Sequence, residues 1–109
     1  MARYSRAREK LMDAEYKLAV SEGHVRERLR RAYTPLRRLS AEDLPAELRD
    51  EWRAILREMT RHGPERDPDG HVWRNAIDHT MSRIRNRTGR KIAERIYRLR
   101  AQLLHQLRR

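Results

Sequence analysis

Tyr4, Ala7, Leu11, Ala14 and Leu18 recur at steps of three and four residues, the repeat of one face of an α-helix. Stepping on by sevens from Leu18 gives Val25, Ala32 and Leu39, but the companion position fails at Ser21, Arg28 and Pro35. The pattern therefore predicts two helices, about 3–20 and 24–33, loosened around Ser21-Glu22-Gly23, and not a long coiled coil. Thr34-Pro35 is expected to end the second, because a residue before proline disfavours the helical region.

Ser40-Ala41-Glu42-Asp43 and Leu44-Pro45 read as a helix start: serine caps, acids suit the positive end, and proline fits a first turn. Leu48, Trp52, Ile55, Leu56 and Met59 then form an apolar stripe, which predicts a helix over 45–61 stopped by Gly63-Pro64. HGPERDPDG, residues 62–70, reads as a loop. Val72, Trp73, Ala76, Ile77, Met81 and Ile84 share one broad face and predict a helix over 71–86. Ile92, Ala93, Ile96, Leu99, Leu103, Leu104 and Leu107 predict a last helix over 89–107, with Thr88-Gly89 either breaking the helix or carried through it. No segment alternates in the manner of a strand. The expected fold is all-α: a small bundle of four to five helices, no β-sheet, in a single domain spanning 1–109.

Charge changes this plain picture. The 109 residues carry 27 lysines and arginines against 16 acids, a net +11. Only Lys10, Lys17 and Lys91 are lysine. A GC-rich genome would favour arginine over lysine codons whatever the function, but it accounts less readily for the net charge. The charge is also segregated. Residues 41–70 hold nine acids and five bases, whereas residues 71–109 hold eleven bases and two acids. Such segregation gives a one-signed field that attracts a polyanion or an acidic protein surface. On a wheel with Ile92, Ile96, Leu99 and Leu103 inward, Arg87, Lys91, Arg95 and Arg98 flank the apolar stripe, with Arg83 and Arg90 further round. These six are the candidate nucleic-acid-binding residues, each able to neutralise a phosphate. Asn86, Thr88 and Gly89 add small polar and backbone groups at a possible helix start. A helix-turn-helix reading of MSRIRNRTGRKIAERIYRL is disfavoured, since Arg85 and Arg95 fall where that motif buries small or aliphatic residues.

Other chemistry is thinner. There are no cysteines, which excludes disulfides and thiol catalysis and fits a reducing cytoplasm, the expected location. No stretch is apolar enough to span a membrane, and the N-terminus lacks the apolar run of a secretory signal. The histidines show no metal-ligand spacing, and Asp67, Asp69 and Gly70 lack the downstream glutamate of a calcium loop, so neither metal nor cofactor is expected. Arg74-Asn75-Ala76-Ile77-Asp78-His79 resembles the R-x4-6-H motif of the HEPN ribonucleases, an all-helical, commonly dimeric family that cleaves RNA without metal. That resemblance implies that Arg74 positions phosphate, Asn75 orients the site and His79 assists proton transfer. Neutral histidine suits such transfer near pH 7.

The leading expectation is a small, non-enzymatic helical module that binds the backbone of RNA or DNA through its C-terminal basic helix. The alternatives are a HEPN-like ribonuclease using Arg74 and His79, and a helical adaptor docking on an acidic protein surface as a homodimer or as a subunit of a larger assembly.

Overall fold

The computed structural model describes residues 3–108; Met1, Ala2 and Arg109, at the ends of the expected 1–109 domain, lie outside the described residues. Five helices carry most of the chain: α1 (Ser5–Val20), α2 (Val25–Arg37), α3 (Ala46–Met59), α4 (Ala76–Arg83) and α5 (Asn86–Leu107). A 3-10 turn, Ala41–Asp43, precedes α3.

The first stripe packs as its spacing requires. Ala7, Leu11, Ala14 and Leu18 of α1 are buried, as are Val25, Leu29, Ala32 and Leu36 of α2. With only residues 21–24 between them, the two helices fold back as a hairpin. Gly23 makes that turn at φ 94°, where a Cβ would collide with the Glu27 carboxylate. On the far side of α1, Met12, Tyr16 and Val20 stand exposed. The expected end of α2 at Tyr33 is corrected: the helix runs through Thr34-Pro35 to Arg37. Pro35 and Leu36 are buried there, and the Trp52 indole N–H donates to the Leu36 carbonyl at 3.0 Å. Burial and this bond outweigh the local proline preference.

Ser40 and Asp43 act as the sequence suggested, though on the 3-10 turn rather than on α3 itself: the Asp43 carboxylate accepts from the Ser40 backbone N–H at 2.8 Å and its hydroxyl at 3.1 Å. Helix α3 then starts after Pro45, with Leu48, Trp52, Ile55 and Met59 buried and Leu56 partly so.

Two corrections fall between α3 and α5. First, the fold contains a small antiparallel ribbon, β1 (Glu65–Arg66) paired with β2 (Val72–Arg74). The expected loop over 62–70 and the first turn of the expected 71–86 helix supply its strands, and Val72 and Trp73 stand exposed instead of facing the core. The turn is closed by Asp67, whose Oδ1 accepts from the N–H groups of Asp69 and His71 at 2.9 Å each. Second, α4 spans 76–83 and α5 starts at Asn86, so the break falls at Ile84-Arg85 and not at Thr88-Gly89. Gly89 is carried inside α5, and a Cβ there would sit 3.0 Å from Val25 Cγ1, so its bareness lets α2 and α5 approach.

Ile92, Ile96, Leu99 and Leu103 of α5 complete one continuous buried cluster with α1, α2, α3 and α4. Arg26 pins the α4–α5 corner from α2. Its Nε donates to Asn86 Oδ1 at 3.0 Å, and its Nη1 donates to the Met81 and Ile84 carbonyls at 3.3 Å each. Among the described residues no helix is long and apolar enough to cross a membrane.

Candidate nucleic-acid interface

The six candidate cations divide by what holds them. Arg95 forms a two-pronged bond with Glu51 of α3, Nε to Oε2 at 3.0 Å and Nη2 to Oε1 at 2.7 Å. The Arg95 bond, helped by the charges of Arg95 and Arg98 and opposed by burial, holds the Glu51 carboxyl below its ordinary range. Arg95 is therefore a strut between α3 and α5. Arg98 lies 3.7 Å from Glu94 one turn before it, an exposed and weak pair. Arg100, outside the candidate set, reaches Glu15 of α1 at 3.2 Å.

Arg83, Arg87, Arg90 and Lys91 are exposed and make no ion pair among the described residues, and the same holds for Arg85. These five follow one another along the α4–α5 corner: Arg83 ends α4, Arg85 is the N-cap of α5, and Arg87, Arg90 and Lys91 lie in its first two turns. Helix geometry leaves the N–H groups of Asn86, Arg87 and Thr88 without intrahelical partners, since the regular bonding begins with Gly89 N–H to the Arg85 carbonyl at 3.0 Å. Nothing caps them: Arg85 sits at the N-cap without a side-chain bond, the first turn has no acid, and Asn86 Oδ1 is already taken by Arg26. The positive end of the helix dipole and five cationic side chains thus coincide. A groove of about 460 Å³ runs alongside, lined among others by His24, Arg28, Arg90 and Tyr97.

Arg74, Asn75 and His79 meet at the junction of the ribbon and α4. Asn75 is the N-cap of α4; its Oδ1 accepts from the Asp78 N–H at 2.9 Å. Arg74 lies 3.4 Å from Glu65 across the ribbon, donates to Ser82 Oγ at 2.7 Å, and stacks 4.4 Å from the centre of the Trp73 ring. His79 Nδ1 lies 2.9 Å from the Gly63 carbonyl. A carbonyl only accepts, so the proton sits on Nδ1 and Nε2 is left free. All three residues thus have structural partners within their own chain.

Two residues that the sequence did not point to as part of a site join them, His62 and Trp73, the latter expected on a core-facing helix. His62 places its ring 5.8 Å from that of His79. Desolvation of its ring, then the charges of Arg61 and Arg83 and the His79 ring, lower its pKa. Trp73 is 58% exposed and carries the Arg74 guanidinium on its face. His62 and His79 are far apart in sequence and follow no helical spacing. The turn at Gly63, in the left-handed region at φ 65°, and the bond from the His62 N–H to Thr80 Oγ1 at 3.1 Å bring them together. Asp67, Asp69 and His71 also place potential ligand atoms within 4.8 Å of one another, but the Asp67 carboxylate is engaged in closing the ribbon turn.

Comparison of the chain with protein-family models, with curated proteins and with solved structures finds no match in any of the three.

Proposed function

We propose that this protein binds the phosphate backbone of RNA or DNA at the α4–α5 corner, through Arg83, Arg87, Arg90 and Lys91 with Arg85 beside them. The observation that carries the reading is the placement of these cations. Stability alone favours acids at the start of a helix, where they offset its dipole, and cations at the end. Here cations without partners crowd the positive end, a self-repelling arrangement that a phosphate chain would relieve. Arg98 can extend the track along α5, because its pair with Glu94 is exposed and easily exchanged. Arg95 belongs to the scaffold.

The test is a pair of variants read by gel shift and by thermal unfolding. Arg87→Ala with Lys91→Ala should weaken binding to a labelled oligonucleotide at least tenfold and leave the melting temperature within a few degrees. Arg95→Ala should do the reverse, costing about 1 kcal/mol of stability through the lost bond to Glu51 while binding changes little. Equal binding by the double variant and the wild type would refute the reading.

A further inference from the structure

We infer that the His62–His79 pair is a metal-independent site for cutting RNA by internal transesterification, placed beside the backbone-binding corner and dependent on that binding reading. His79 is held by the Gly63 carbonyl, which fixes one proton on Nδ1 and reserves Nε2 for exchange. His62 stands across from it at 5.8 Å between ring centres and is exposed. A donor or acceptor nitrogen works over about 3 Å, so two rings at this separation can serve the attacking and leaving oxygens of one phosphorus. Arg83, one helical turn beyond His79 on the same face of α4, makes no ion pair among the described residues, and its charge acts on His62, so it can hold the non-bridging oxygens. The exposed Trp73 ring, stacked on Arg74 beside Ser82 of α4, offers a neighbouring face for an unpaired base. That face suits a single strand, and internal transesterification needs the 2′-hydroxyl, so the substrate is single-stranded RNA.

The step balances within the chain and its substrate. His62 accepts the proton of a ribose 2′-hydroxyl, whose oxygen attacks the adjacent phosphorus. The bond from phosphorus to the 5′-oxygen breaks, and that oxygen takes the proton from Nε2 of protonated His79. The products are a 2′,3′-cyclic phosphate and a 5′-hydroxyl; no electron changes hands, and water returns the two histidines to their starting states. The lowered pKa of His62 agrees with its role as the acceptor, since it is neutral when the substrate arrives. DNA, lacking the 2′-hydroxyl, is bound but not cut.

The full chain is incubated in chelator with a 5′-labelled single-stranded RNA and with a DNA of the same sequence, and each mixture is read on native and denaturing gels. The inference predicts RNA fragments with cyclic-phosphate ends, intact DNA, and a shift of both on the native gel. His62→Asn and His79→Asn should each slow cutting at least a hundredfold with the shift retained. Because His79 also anchors the loop at Gly63, His62→Asn, which loses no side-chain hydrogen bond, is the decisive variant. RNA shifted but intact overturns the cleavage site and leaves the binding reading standing. Cutting at the wild-type rate by His62→Asn overturns it as well, and neither shift nor cutting overturns both.

Discussion

At the residue scale, one residue type does two different jobs. Arg26, Arg95 and Arg100 are braces between helices, while Arg83, Arg87 and Arg90, with Lys91 beside them, make no ion pair among the described residues. The sequence put Arg87, Lys91, Arg95 and Arg98 on one flank of α5, and wheel geometry could take that no further. What separates Arg95 from its neighbours is Glu51, 44 positions away on α3, which no local rule reaches. The bond has a consequence for stability. Glu51 has a folded-state pKa below its ordinary value, so its contribution is present above the unfolded value and is lost as pH falls through the folded one. Wild type should therefore melt above Glu51→Gln at pH 7. The gap should close as pH drops below about 4, where an ordinary glutamate protonates. A gap unchanged between pH 7 and pH 3 in calorimetric scans would contradict the assignment. Asn75 illustrates the converse. Its position after Arg74 resembles a ribonuclease motif, yet its side chain makes the bond of an ordinary N-cap to Asp78.

At the element scale, the apolar stripes of α1, α3 and α5 were legible because each lies against one core and repeats at the helix period. The misreadings have physical causes. Val72 and Trp73 continue the spacing of Ala76 and Ile77, but the Asp67 turn and the ribbon take them out of the helix and expose them. Two- and three-residue strands are too short to display alternation. Pro35 looked like a terminator, and a terminator it would be without the burial of Leu36 and the Trp52 bond. Trp52→Phe keeps the ring in the core but removes one donor from the Leu36 carbonyl, which still accepts from the Leu39 N–H at 3.3 Å, so it should cost about 1 kcal/mol in urea unfolding. A cost near zero would mean that the extension of α2 rests on packing alone. Gly89 makes a related prediction. Gly89→Leu must displace Val25 and Leu29 and should destabilise by about 2 kcal/mol, whereas a helix stiffened without clash would gain stability.

At the scale of the whole molecule, the acidic middle of the chain and its basic end are not simply two patches. Glu51 of the acidic segment neutralises Arg95 of the basic one, and Glu15 neutralises Arg100. Pairing across the bundle thus withdraws Arg95 and Arg100 from the later turns of α5 and leaves the unpaired cations of residues 71–107 at the α4–α5 corner. That concentration was invisible in segment totals, which located the charge only within residues 71–109. The corner also lies one helical turn from His79, so binding and the proposed cleavage share Arg83. Binding at the corner is decided by the affinity for single-stranded RNA across a salt series with chelator present. Four to five phosphates neutralised at the corner predict that log Kobs falls with log salt at a slope of about −3. Arg87→Ala with Lys91→Ala should make the slope shallower by about 1.4, and Arg95→Ala should leave it unchanged. A flat line, or a slope indifferent to Arg87 and Lys91, would contradict the account.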